Sequence, residues 1–327
     1  MKWAGMIALP QFTLLRPATL AEAARLAAEP QARLIAGGTG LIPNLRLGLG
    51  APRTLVSLEA LEELRRIDAS EAGWRIGAGV SLQALSEAEK LPAALREAAR
   101  LIAAPAHRSA ATLGGNLCLD TRCVYYNQSE AWRRANGYCL KYGGDTCHVA
   151  PQGKKCRAAY SGDLAPALLV LDAKIQINGE WKALHRLYND DGARHLTLQP
   201  GEIIAAVHLP PTKGRSGYAK LRSRGSIDFP LAGVAMRLSL SNNVIRELRV
   251  ALTGTNSRPV LIEGTEAFVG AEAGEATAAA LAKLVQKQAG PMRTTLTAAD
   301  YRRQGATVLA RRLLERLTRK ETQGGIP

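Results

Sequence analysis

Apolar residues recur along this chain at two spacings, one suited to strands and one to helices, with glycine-rich breaks between them. Leu20 to Ala28 has the spacing of a helix, Arg33 to Ala36 is a short apolar strand, and Thr54 to Leu58 is another, so the opening stretch predicts a small α/β unit. The pattern repeats on a larger scale after Leu61. Trp74 to Gly79 reads as a strand, Leu91 to Ala103 as an amphipathic helix, Ala165 to Leu171 as a helix, and Lys174 to Leu184 as a hairpin turning at Asn178-Gly179. Beyond Pro210-Pro211, Val234 to Leu240 and Val244 to Thr253 alternate apolar and polar residues around Asn242-Asn243, while Glu275 to Gln288 and Ala298 to Leu317 are helical. Such a segment predicts an antiparallel sheet with helices packed on one face. The expected fold class is α+β, in units spanning 1–60, 61–215 and 216–327.

Two of the glycine breaks have the chemistry of phosphate loops. Gly37-Gly38-Thr39-Gly40 follows an apolar strand; without Cβ atoms its backbone N–H groups can approach an anion, and Thr39 adds a hydroxyl. Thr112-Leu113-Gly114-Gly115-Asn116 offers a second surface of the same kind. Either loop alone is as readily structural punctuation. As a pair, they suit a dinucleotide, whose pyrophosphate must be clasped while its two ends are held apart. Neither has the G-x-G-x-x-G spacing, which disfavours an ordinary Rossmann site.

Composition narrows the function classes. The 327 residues carry 43 Lys+Arg against 28 Asp+Glu, a formal charge of +15. That balance suits nucleic acid, a membrane surface or acidic proteins as partners, and equally the solvation of an Arg-rich surface. No zinc-finger spacing, basic heptad or RNA-binding aromatic signature accompanies it, so no nucleic-acid partner is expected. No apolar run approaches the ~18 residues of a membrane span, so none is expected either. Met1 to Phe12 contains Lys2 and Pro10 and lacks a small-residue cleavage site, which points to a cytoplasmic protein rather than a secreted one.

Cysteine placement is the sharpest chemical signal. Four of the five cysteines, Cys123, Cys139, Cys147 and Cys156, fall within Arg122 to Arg157. In a reducing compartment such crowding favours metal binding over disulfides. Four thiolates are the complement of a 4Fe-4S cluster, and the gaps between them let the loop wrap one. Tetrahedral zinc also takes four thiolates, although its sites favour close cysteine pairs that this loop lacks. His148 could replace one thiolate, or simply be solvated. Cys118, two residues past Asn116, reads as an inert buried thiol. Within the same loop Arg122, Arg133, Arg134, Lys141, Lys154, Lys155 and Arg157 face only Glu130 and Asp145. The excess either balances an anionic cluster or attracts an acidic electron carrier.

Four motifs in order resemble the FAD-binding subunits of molybdenum hydroxylases, the group of xanthine dehydrogenase and carbon monoxide dehydrogenase. They are Ala36-Gly37-Gly38-Thr39-Gly40-Leu41, Ala111-Thr112-Leu113-Gly114-Gly115-Asn116-Leu117, Ser161-Gly162-Asp163-Leu164-Ala165-Pro166-Ala167, and Lys220 through Asp228. The resemblance covers almost the whole chain. It implies a two-part FAD-binding domain followed by a C-terminal domain, with the FAD pyrophosphate on the two glycine loops, Asp163 on the adenosine half and Lys220 near the flavin end. The family usually has an acidic residue where this chain has Gly40, so that side chain's role is absent here. In most of the family the second glycine loop runs almost directly into the Ser-Gly-Asp segment. The stretch from Arg122 to Arg157 is therefore an insertion, and it resembles that of the 4-hydroxybenzoyl-CoA reductase branch, known for an additional 4Fe-4S cluster.

That resemblance implies an electron-transfer subunit in a dimer of heterotrimers, beside a molybdopterin-containing large subunit and a small subunit with two 2Fe-2S clusters. Ferredoxin would donate electrons through the 4Fe-4S cluster and FAD toward molybdenum, for reductive dehydroxylation of 4-hydroxybenzoyl-CoA to benzoyl-CoA. An oxidising molybdenum hydroxylase of the same architecture, or more remotely a zinc-stabilised binding protein, is the alternative. No catalytic triad or carboxylate pair stands out, as suits a chain whose cofactors carry the chemistry.

Overall fold

The computed structural model describes residues 8–319, so part of the N-terminal stretch on which the cytoplasmic expectation rests, 1–7, lies outside the described residues. The first unit is a parallel three-stranded sheet built from β1 (Thr13–Leu15), α1 (Leu20–Ala27), β2 (Ala32–Ile35), α2 (Leu41–Arg46) and β3 (Thr54–Ser57), in strand order β1-β3-β2. Helix α1 starts where Thr19 Oγ1 accepts the Glu22 N–H at 3.1 Å and the Glu22 carboxylate reaches back to the Ala18 N–H. Its Ala23 packs with Val56, Leu61 and Leu64, and with Ile203 and Ala205 from much later in the chain.

The second unit wraps helices around an antiparallel sheet. In chain order it comprises β4 (Ile67–Ser70), β5 (Gly73–Gly77), α3 (Leu82–Glu87), α4 (Ala93–Arg100), α5 (Pro105–Ala110), α6 (Leu113–Leu117), α7 (Glu130–Ala135), α8 (Leu164–Val170), β6 (Lys174–Ile177), β7 (Glu180–Ala183) and β8 (Ile204–Leu209), with strand order β4-β5-β8-β6-β7. The hairpin turns at Asn178 and Gly179, whose φ angles of 51° and 82° are the positive pair that matches strand twist. The expected helix from Leu91 to Ala103 is shorter than its apolar pattern, because Pro92 sets its start and Ala103, at φ 44°, turns the chain away. Every residue of α8 is buried, so this helix is apolar all round and forms the centre of the main core.

The third unit holds β9 (Arg215–Leu221), β10 (Ala232–Ser241), β11 (Val244–Thr253), β12 (Val260–Leu261), α9 (Glu275–Gln288) and α10 (Ala299–Thr318). Its antiparallel sheet runs β12-β11-β10-β9, and β10 turns into β11 through Asn242 and Asn243, both at positive φ. Helices α9 and α10 cover one face, where Val234, Met236 and Leu238 meet Leu281, Val285 and Leu313. The opposite face is covered too. Tyr218, Ala235 and Ala251 join the main core beside Leu168 of α8, so the expectation of helices on a single face is half of the arrangement. This second contact is why seven consecutive residues of β10 are buried where alternation alone would bury every other one. Among the described residues no helix is long and apolar enough to cross a membrane.

Candidate cofactor site

The first glycine loop joins β2 to α2 and lies at the surface, with Gly37 and Thr39 exposed. Among the described residues, the backbone N–H groups of Gly37, Gly38, Thr39, Gly40 and Leu41 have no acceptor, while the Gly38 and Gly40 carbonyls receive N–H groups from Ile42 and Asn44. Five successive unpaired donors at a loop-to-helix junction are suited to hold a phosphate. Gly38 needs its lack of Cβ for φ 69°. Gly37 needs it for packing, since a Cβ there would sit 1.9 Å from the Ala110 carbonyl oxygen. The first loop therefore lies directly on the turn that leads into the second.

That second segment differs from the expected loop. Leu113 to Leu117 is the short helix α6, with Thr112 as its N-cap. Leu113 N–H donates to the Val80 carbonyl at 2.9 Å, Gly114 N–H to Ala78 at 2.8 Å, Gly115 N–H to Thr112 Oγ1 at 3.2 Å and Asn116 N–H to Thr112 at 2.9 Å. The donors of Gly114, Gly115 and Asn116 are thus spent inside the protein. Gly114 is required because a Cβ would come within 2.9 Å of the Ala78 side chain. Only Gly115, exposed beside Thr112, borders open space. Buried Asn116 accepts the Leu164 N–H at 3.0 Å through its side chain and so fixes the start of α8.

Asp163 precedes that same start and faces inward. Its carboxylate pairs with Lys220 Nζ at 3.0 Å and accepts the Tyr218 hydroxyl at 2.6 Å, and Lys220 also donates to the Leu101 carbonyl. Burial pushes the Asp163 carboxyl up, against the pull of Lys220. Asp163 and Lys220, which the resemblance assigns to the adenosine half and the flavin end, are each other's ion-pair partners here. The four motifs form one continuous contact path, from Gly37 to Ala110, through Asn116 to Leu164, and from Asp163 to Lys220.

Residues 122–157 carry a second constellation. Cys123, Cys139, Cys147 and Cys156 are all buried and line a single cavity together with Tyr125, Lys141 and Val149. Burial pushes the Cys123 thiol up to about 11, opposed by the Tyr125 backbone N–H and reinforced by Cys139 and Cys147. Cys156 is pushed up to about 12, again by burial, with the Ala158 N–H and Lys141 opposing. The four thiols border the same cavity, and a metal centre entering it must displace their protons. Among the described residues no three His, Cys, Asp or Glu side chains converge as a single ion requires. Zinc would hold its four sulfurs about 3.8 Å apart, from Zn–S bonds of about 2.3 Å. Cys118 stands apart, its thiol raised to about 12 by burial against the main core.

Polar contacts around α2 tie the two constellations together. Asn44 on α2 donates to Asp120 and accepts from Arg122, and Asp120 pairs with Lys141 at 2.5 Å beside the cysteines. Fully buried Arg133 on α7 donates to the Leu47 and Gly48 carbonyls just past α2, and Tyr142 O–H reaches Gly48 at 2.7 Å. Helix α2 has six residues, a length of about 9 Å, with the glycine loop at one end and these anchors at the other. Nothing in the sequence distinguishes Asn44 from an ordinary surface polar residue; only its placement does.

Residues 10–212 match the family described as the FAD binding domain in molybdopterin dehydrogenase, which is more than half of the chain. The chain belongs to this family of flavoproteins. Residues 217–317 match the CO dehydrogenase flavoprotein C-terminal domain. Among members of the family, the chain is 35% identical over 275 residues to the aldehyde oxidoreductase FAD-binding subunit PaoB of Escherichia coli (strain K12), spanning 78% of this chain and 85% of the relative. It is 27% identical over 315 residues to the carbon monoxide dehydrogenase medium chain of Afipia carboxidovorans, spanning 93% and 96%. A crystal structure of Cu,Mo-CO dehydrogenase superposes with a TM-score of 0.77 at 26% identity, covering 95% of this chain and 99% of the other.

Proposed function

We propose that this flavoprotein is the electron-transfer subunit of an oxidising molybdenum hydroxylase and that Cys123, Cys139, Cys147 and Cys156 hold a 4Fe-4S cluster. The observation that carries the reading is the row of five unpaired N–H groups, Gly37 to Leu41, inside a domain of an FAD-binding family. FAD bound there would exchange electron pairs with an acceptor, and a 4Fe-4S cluster would pass electrons singly. The chain's own work is to bind and position. Gly37 to Leu41 and the Thr39 hydroxyl would hold the pyrophosphate, exposed Gly115 offers a further open edge, and the Asp163–Lys220 pair ties α8 to β9. The cluster reading rests on the donor set itself, four buried thiols around one apolar-walled space.

The partners that accompany this reading are a molybdopterin-containing large subunit and a small subunit with two 2Fe-2S clusters, in a dimer of heterotrimers. Oxidation is favoured over reductive dehydroxylation of 4-hydroxybenzoyl-CoA because the relatives named above are an aldehyde oxidoreductase and a carbon monoxide dehydrogenase. The reductase reading rests on the cysteine-bearing segment alone, and a cluster conducts in both directions. Reduced ferredoxin as donor belongs to that second reading; an oxidised acidic carrier as acceptor belongs to the first. Purified complex assayed with aldehydes or N-heterocycles plus an acceptor, and in parallel with 4-hydroxybenzoyl-CoA plus reduced ferredoxin, separates them. Turnover only in the second assay would overturn the oxidising assignment, and a visible spectrum without flavin would overturn both.

A further inference from the structure

Arg302, in the first turn of α10, is fully buried, and among the described residues it has no carboxylate partner. Its Nε donates to the Leu231 carbonyl at 3.0 Å, and its Nη1 to the Met292 carbonyl at 2.9 Å and to Thr294 Oγ1 at 3.0 Å. Its Nη2 donates to the Gly254 carbonyl. Every one of these acceptors is neutral. The other buried cations of the region are paired, Arg133 with Glu130 and Lys141 with Asp120. An isolated guanidinium out of water is expensive, and neutral carbonyls recover only part of that cost.

What lies beside it is the cysteine cage. The Val124 N–H, next to Cys123, donates to the Thr294 carbonyl at 2.9 Å, and the Thr294 hydroxyl accepts from Arg302. One residue thus holds both the ligand-bearing turn and the guanidinium. Burial lowers the Arg302 pKa to about 10, and the acidic group that acts against this is the Cys123 thiol. The same side chain binds Gly254, whose N–H donates to the Tyr160 carbonyl at 2.8 Å, beside the Ser161-Gly162-Asp163 motif.

We propose that Arg302 is the built-in counter-charge of the cluster, a positioning residue supplied by the C-terminal helix that sets the cluster's reduction potential. The proposal rests on the reading that the four thiols hold a 4Fe-4S cluster. Four thiolates around such a cluster are anionic overall, and one added electron makes them more so. A fixed positive charge in a low-dielectric interior stabilises the reduced form more than the oxidised form and so raises the potential. It also explains why an arginine is tolerated there without a carboxylate.

The test compares unmodified complex with Arg302→Gln, which removes the charge and leaves two of the five N–H donors, and with Arg302→Lys, which keeps the charge and leaves three. Iron and FAD content are measured, and the cluster's midpoint potential is read by an EPR-monitored redox titration. The expected result is a shift to more negative potential in Arg302→Gln, with FAD retained, and a potential close to the unmodified one in Arg302→Lys. Should Arg302→Gln fail to retain iron, retention in Arg302→Lys still supports the counter-charge, and loss in both overturns it in favour of simple bridging of carbonyls. An unchanged potential in Arg302→Gln overturns the proposal while leaving the cluster intact. Unmodified complex without iron removes the cluster reading itself.

Discussion

Asp163 and Lys220 form an ion pair of 3.0 Å whose side chains are 3% and 1% exposed, and it joins the start of α8 to the edge strand of the C-terminal sheet. Tyr218, two residues earlier on the same strand, completes the carboxylate's shell. Lys220→Met leaves that carboxylate buried and unpaired, so a loss of about 3–5 kcal/mol is expected. Urea unfolding measures it, and adding Asp163→Asn should recover part of the loss. Unchanged stability in Lys220→Met would show that the pair does not hold the two units together.

The glycine loop predicts a separation of cofactors. Gly37→Ala drives a methyl group into the Ala110 carbonyl, 1.9 Å from an ideal Cβ, and must displace the loop. FAD content should fall severalfold while iron stays at about four per chain, the complement of one 4Fe-4S cluster. Full flavin retention would count against the cradle assignment.

The cysteines divide four to one. Serine at Cys123, Cys139, Cys147 or Cys156 removes one of the thiols lining the cavity and should remove or degrade the cluster. Cys118→Ser should keep the iron, because that thiol packs against the main core. Iron loss in Cys118→Ser with retention in Cys123→Ser would overturn the ligand set.

His195 makes stability depend on pH. Its Nε2 is buried without a partner, and burial together with Lys141 lowers its pKa from 6.5 to about 4, opposed by Asp120 and the Leu119 backbone. The unfolded chain therefore binds the proton first. Stability from this residue is full above about 6.5 and declines as pH falls toward 4, by about 2 kcal/mol between pH 7 and pH 5. Urea midpoints of the unmodified protein should drop over that interval, and those of His195→Phe should drop less. Equal drops would exclude a buried neutral imidazole.

The basic segment predicts salt-sensitive electron exchange. Arg134, Lys154 and Lys155 are exposed around the cysteine cage. Attraction of an acidic carrier weakens as the screening length shortens from about 30 Å at 0.01 M to about 8 Å at 0.15 M. Replacing Lys154 and Lys155 by Glu should slow exchange with ferredoxin and flatten its dependence on ionic strength, leaving a small uncharged mediator nearly unaffected. An identical rate and salt slope in the variant would mean that these lysines serve another contact.

Local signals made much of this molecule legible in the chain. Alternation from Val234 to Thr253 gave both long strands, helical spacing gave α9 and α10, and Asn178-Gly179 and Asn242-Asn243 gave their turns, because periodicity and positive-φ chemistry act over a few residues. The four crowded cysteines and the first glycine loop were visible for the same reason. The second glycine segment misled, since its sequence fits an open loop, whereas Thr112 takes the Gly115 and Asn116 donors locally and Val80 and Ala78, brought alongside by the fold, take those of Leu113 and Gly114.

The sequence by itself therefore determined which elements form and which residues are chemically able to bind a phosphate or a metal. The tertiary structure alone decided which of them remain free to do so. Hydrogen-bond acceptors and counter-charges come from residues far away in the chain, as Lys220 does for Asp163, Leu47 for Arg133 and Gly254 for Arg302. A buried charge or amide must find such a partner whatever its sequence neighbours are, so the pairing is fixed by packing and is written in no local pattern.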